Sequence, residues 1–222
     1  MNECSRKDVL IDLCVQRAYL EPSSAHCIAN RAQVFPNLKR LMAFARWVKQ
    51  PLISCVDVDA ANRIGDQFVA LQGVSTPLRQ RYGFSVLPDH HLVESDNSLS
   101  VSLDILETHQ QVVVTKVHRD PYTNPKLDRL LTEMPARRFV VFGVTLEASI
   151  RMLVLGLLRR NRHVLLIDDA CGFHHAQEAG LVLRKLLVKG CQATSTLAYI
   201  RDRASAMKPV RPLRLRVNRS VA

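Results

Sequence analysis

Five short apolar runs limit what this chain can fold into more than any other feature. They occupy residues 9–11, 52–53, 112–114, 139–142 and 164–167 and are rich in Val, Ile and Phe. None alternates strictly between apolar and polar, which marks strands covered on both faces, as in a parallel sheet. A weaker run at 193–197 is expected to close the sheet. Helical patterns lie between them. In residues 37–48 the apolar side chains fall at Leu38, Leu41, Met42, Ala45 and Val48, one core-facing stripe. Residues 146–158 are apolar on almost every side and predict a covered helix. Residues 174–189 repeat the amphipathic pattern and end at Gly190, a favoured helix stop.

This alternation predicts an α/β fold, a doubly wound, Rossmann-like, mostly parallel sheet of about six strands with helices on both faces. The organised domain is expected over residues 1–203. Residues 59–110 are interrupted by Gly65, Gly73, Pro77, Gly83 and Pro88 and read as an irregular insertion with one helix near 100–107. Residues 204–222 read as a basic, mobile tail. A length of 222 residues suits one such domain.

The net charge of +11 invites a nucleic-acid reading, but residues 201–222 carry seven Lys/Arg against one Asp. About half the excess therefore lies in the tail, and nucleic acid is not the expected partner. The six cysteines, at 4, 14, 27, 55, 171 and 191, show no CxxC spacing. No leader is recognisable at the start, so reduced thiols in a cytoplasmic setting are expected. No apolar run is long enough to span a membrane.

Ligands of open α/β sheets bind at the carboxyl ends of the strands. The polar residues there include Asp12, Asp57, Lys116, Thr145, Ser149, Asp168 and Asp169. Position alone makes Asp12, Lys116 and Ser149 candidates for a small-molecule pocket. The surrounding blocks sharpen this: VLIDLC at 9–14, VVVTKVHRDPY at 112–122, VVFGVTLEASI at 140–150 and VLLIDDACG at 164–172. In this order and at these distances, the blocks resemble the isochorismatase-like family, also called cysteine hydrolase or nicotinamidase-like, from about residue 7 to 198.

The resemblance implies a hydrolase acting on a small carboxylate, amide or enol ether, with Asp12, Lys116 and Ser149 in the catalytic places. It also implies a cis peptide between Val144 and Thr145, an oxyanion hole from the Thr145 and Ser149 amides, and a homo-oligomer. His118 and Tyr122 fall near positions that line the family's pocket. Cys14 stands two residues past Asp12, where the family often has Gln; it is a candidate for the pocket lining beside His118 and Tyr122, although it reads most simply as a buried structural thiol.

Ser149 departs from the family, which has a nucleophilic Cys there. A hydroxyl is far less acidic than a thiol and needs an adjacent base, which an Asp paired with a Lys supplies poorly. Three readings stay open: a non-covalent hydrolase using Asp12 as general acid, an inactive member that binds or assembles, or a Cys-to-Ser replacement made by design. A family-type metal is not expected, because Asp57-Val58-Asp59 is followed by no His before His90. The pairs His90-His91 and His174-His175 read as surface or loop residues, and no cofactor is expected.

Overall fold

The computed structural model describes residues 8–57, 80–94, 96, 98–116 and 118–206. Seven strands build one parallel sheet: β1 (Asp8–Leu13), β2 (Leu52–Asp57), β3 (His90–Val93), β4 (Gln111–Lys116), β5 (Arg138–Val144), β6 (Val164–Gly172) and β7 (Gln192–Thr194). Their spatial order is β3-β4-β2-β1-β5-β6-β7. The chain winds one way from β1 through β2 and the other way from β1 through β5. The point where the direction reverses therefore lies between β1 and β5, where doubly wound sheets open a crevice.

The central strands are buried along their whole length, which is why their sequences are continuous apolar runs. The pleat divides their side chains between two cores. Val9, Ile11 and Leu13 of β1 face the core covered by α3 (Ile105–Thr108), α4 (Pro125–Glu133), α5 (Arg151–Arg159) and α6 (Ala176–Val188). Leu10 faces the other core, covered by α1 (Arg17–Leu20), α2 (Arg31–Trp47) and α7 (Thr196–Ala206). Local chemistry sets the helix ends. The Asn124 side chain accepts from the Lys126 and Leu127 amides at 3.0 and 3.2 Å, and Pro125 opens α4. Gly190, at φ +97°, follows the end of α6.

The sheet has seven strands rather than about six. The added strand, β3, lies inside the stretch that reads as an irregular insertion. Among the described residues it is an edge strand, pairing with β4 alone. Its burial is partial, so it lacks the apolar run that betrays a central strand. The helix expected near 100–107 is only the short α3, and residues 59–79 lie outside the described residues. The run at 193–197 divides into β7 and the start of α7. That helix continues to Ala206, three residues into the stretch expected to be mobile, and the remainder of the tail lies outside the described residues. Among the described residues no helix is long and apolar enough to cross a membrane.

One glycine is indispensable at the β1–β5 seam. Gly143 has φ +119°, and a Cβ there would run into the Leu13 carbonyl. Substitution therefore meets both a disfavoured backbone and a wall of main chain. Gly143→Ala should destabilise the domain by at least about 3 kcal/mol in urea unfolding. A loss under 1 kcal/mol would show that the seam can open.

Candidate active site

A cavity of about 680 Å³ opens at the carboxyl ends of the strands, over the β1–β5 reversal. Cys14 enters it from the end of β1 and Asp57 from the end of β2. Thr145, Glu147 and Ser149 enter from the segment that joins β5 to α5. That segment starts with a cis peptide at Val144–Thr145 and continues as a π-helical turn over Leu146–Ile150 before α5 takes over. The wide turn brings Glu147 and Ser149 to the cavity wall. Such turns are commonly found at functional sites.

Asp12 is not part of this wall. Its side chain is fully buried, with Arg81 Nη2 2.9 Å from each carboxylate oxygen and the Ser54 hydroxyl donating to Oδ2. Burial pushes the Asp12 carboxyl above its ordinary range, and Arg81 and Ser54 offset this only in part. The expected meeting of Asp12 with Lys116 does not occur, for a reason set by register. Asp12 pairs with Ser54, and Ser54 with Val113, so Asp12 is level with a residue three short of Lys116. Three residues of strand amount to roughly 10 Å. An odd offset also places the two side chains on opposite faces of the sheet.

Lys116 meets a different carboxylate. It is fully buried, its Nζ lies 3.5 Å from Asp57 Oδ2, and it donates to the His118 carbonyl at 3.1 Å. Asp57 also accepts from the Tyr19 hydroxyl at 3.0 Å. The Cys14 thiol is the other neighbour of Lys116, near enough for each to bias the other's titration. Burial raises the Cys14 thiol and the Lys116 ammonium opposes the rise. Burial likewise penalises the Lys116 charge, but the anionic forms of Cys14 and Asp57 oppose this and place the ammonium above its ordinary value. Cys14 adopts φ +52°, a left-handed conformation uncommon for a side chain other than Gly, Asn or Asp.

The sequence held a signal for this arrangement. The family pattern sets a Gln two residues past its strand-end acid, and Gln16 stands two past Cys14, not two past Asp12. Gln16 is buried and clamps the end of β2. Its side chain accepts from the Asp57 amide at 2.8 Å and donates to the Asp57 carbonyl at 3.0 Å. The blocks put the acid at Asp12; counted back from Gln16 instead, the acid's place would fall at Cys14, one pleat further along.

Other expected residues also move. His118 is exposed and contributes its carbonyl to Lys116 instead of a ring to the cavity. Tyr122 packs on Gly156 of α5 and donates to the Leu153 carbonyl at 2.9 Å, away from the cavity wall. His174 and His175 are exposed loop residues, as read, and they also line the cavity. Their amides donate to Glu147 Oε1 at 2.6 and 2.9 Å. Glu147 Oε2 is buried and has no hydrogen-bond partner among the described residues. Arg119 and Arg151 add positive charge to the lining. Among the described residues no His, Cys, Asp and Glu side chains cluster closely enough to hold a metal, and Asp59 lies outside those residues.

The family model described as Isochorismatase domain matches residues 8–197. Solved structures share the fold at low identity. A cysteine hydrolase from Pseudomonas syringae pv. phaseolicola aligns with TM-score 0.66 at 16% identity, covering 93% of this chain and 95% of that one. An isochorismatase family protein from Desulfovibrio vulgaris gives 0.64 at 16%, covering 90% and 99%. A pyrazinamidase/nicotinamidase from Streptococcus mutans gives 0.61 at 12%, covering 85% and 100%. No curated protein matches the chain.

The Asp12–Arg81 pair makes a direct prediction. Removing one member of a buried ion pair typically costs about 3–5 kcal/mol, because the other charge is stranded. Arg81→Met should lose about that much at pH 8. The loss should shrink at pH 5, since an Asp12 carboxyl already raised by burial can then become neutral. Asp12→Asn added to Arg81→Met should recover part of the loss in denaturant melts. A pH-independent effect of Arg81→Met would contradict the pairing.

Proposed function

Because the chain belongs to the isochorismatase-like hydrolase family, we propose that it hydrolyses a small carboxylate-bearing amide or ester in the cavity over the β1–β5 reversal, without using Ser149 as the nucleophile. The observation that carries this reading is the convergence of Cys14, Asp57 and Ser149 on one cavity with Lys116 directly behind them. Such a cavity is within the size range of small-molecule sites. Arg119 and Arg151 suit a substrate carboxylate, since guanidinium–carboxylate contacts are among the stronger polar interactions. The pyrazinamidase/nicotinamidase with this fold acts, by its name, on small aromatic amides, which supports the amide class.

Thr145 and Ser149 amides at the cavity wall are suited to receive the oxyanion of a tetrahedral intermediate. Among the described residues no histidine or carboxylate is hydrogen-bonded to the Ser149 hydroxyl, which argues against a covalent role for it. Acyl chemistry is favoured over enol-ether cleavage, because the general acid for the latter would be Asp12, and Asp12 stands behind the wall in the grip of Arg81.

A second reading, a binding protein without turnover, is favoured by one observation: the nucleophile's place holds Ser149 and, counted back from Gln16, the acid's place holds Cys14. A panel of small amides and esters, with and without a carboxylate, separates the two. The hydrolase reading expects turnover of at least one carboxylate-bearing member. Arg151→Ala should then raise KM about tenfold with kcat within about twofold, the signature of lost ground-state binding. If wild type binds panel members in calorimetry but turns none over, and Ser149→Cys alone switches amidase activity on, the binding reading replaces it.

A further inference from the structure

We infer that Cys14 is the nucleophile of this cavity, with Lys116 as its stabilising cation and Asp57 as the carboxylate that takes its proton. The inference rests on the proposed hydrolase activity for its substrate class, while the reactivity of the thiol can be judged separately. Three placements carry it. Cys14 lines the cavity from the end of β1, and Ser149 lines the same cavity from the segment that follows β5. Lys116 is buried with its Nζ 3.5 Å from Asp57 Oδ2 and is near enough to the Cys14 thiol for the two groups to bias each other's titration. Asp57 also lines the cavity and is further held by the Tyr19 hydroxyl. A thiol, a lysine and a carboxylate thus meet at one place, with sulfur supplied by a strand end instead of a helix.

A second feature of the same cavity points to a ligand. Glu147 is 8% exposed, its Oε1 is taken up by the His174 and His175 amides, and its Oε2 has no partner among the described residues. A buried carboxylate oxygen left unpaired is costly, so it calls for a donor such as the NH₂ of an amide. The substrate class is therefore an acyl compound with an amide-type donor.

The other described cysteines lack this setting. Cys55 feels the same ammonium but does not line the cavity, whereas Cys14, although only 2% exposed, does. The Cys171 and Cys191 thiols donate to the Ile167 and Gln192 carbonyls, and burial raises both. Cys14 itself is a neutral thiol at rest, because burial outweighs Lys116. Activation therefore coincides with proton transfer. As the sulfur attacks the carbonyl carbon, a C–S bond forms, the thiol proton passes to Asp57, and the carbonyl electron pair moves onto oxygen. Collapse of the adduct breaks the C–N or C–O bond, and the leaving group departs with the proton from Asp57. Water then attacks the thioester, giving the carboxylic acid and returning a proton to sulfur.

The test is alkylation by iodoacetamide, followed peptide by peptide by mass spectrometry between pH 6 and 9. Cys14 should react at least about tenfold faster than buried Cys191. Lys116→Met should slow Cys14 about tenfold at neutral pH and move its profile to higher pH, while leaving partly exposed Cys27 unchanged. Lys116→Arg, which keeps the charge, should recover most of the rate and guards against a folding artefact. Should Cys14 react no faster than Cys191 in wild type, or should its rate ignore Lys116→Met in a folded variant, the inference falls. A reactive Cys14 in a protein that turns over no panel substrate supports the activated thiol and counts against the hydrolase reading alone. Turnover that survives Cys14→Ala does the reverse: it keeps the hydrolase and removes Cys14 as its nucleophile.

Discussion

Two buried cations are shared between two buried carboxylates at the carboxyl edge of this sheet, and the polar architecture of the cavity depends on how they pair. Arg81 holds Asp12 and Lys116 holds Asp57. Desolvating a charge costs several kcal/mol, and only a well-placed opposite charge offsets it. Neither carboxylate can therefore change partner cheaply. Register keeps Asp12 from Lys116, so the ammonium faces Asp57, with Cys14 nearby, and these two groups reach the cavity.

The backbone around these pairs is equally constrained. Gly143 of β5 packs directly on the Leu13 main chain of β1, just before Cys14 leaves the sheet and Thr145 leads into the π-helical turn. Both sides of the cavity thus spring from the same seam. Gln16 then ties the end of β1 to the end of β2 through both polar groups of Asp57's main chain. The two strand ends that carry Cys14 and Asp57 are thereby tied to each other, and a fixed frame of this kind is a condition for orienting a reacting group.

Residues differ in how far their sequence betrayed them. The central strands announced themselves, because burial on both faces demands continuous Val, Ile and Phe. The edge strand at His90–Val93 did not, because half its surface needs no apolar cover. Lys116 and Ser149 stand at strand and helix ends that periodicity alone identifies. Asp12 was a natural choice as the first polar residue after an apolar run, yet a strand can bury a carboxylate in mid-course when a distant arginine comes to it. Arg81 is 69 residues away in sequence, and no local pattern couples the two. His174 and His175 looked like loop residues, and so they are, but their loop closes over the cavity because Glu147 accepts from both amides.

By itself, the sequence determined the parallel sheet, its winding and the strand ends that bear the chemistry, since these follow from hydrophobic period and chain order. The tertiary structure alone decided which carboxylate meets which cation and whether Asp12 or Cys14 faces the cavity. Both depend on the register between neighbouring strands, where a shift of one residue reverses the face and a shift of three moves a side chain by roughly 10 Å. Register is a property of paired strands, and no single strand's sequence contains it.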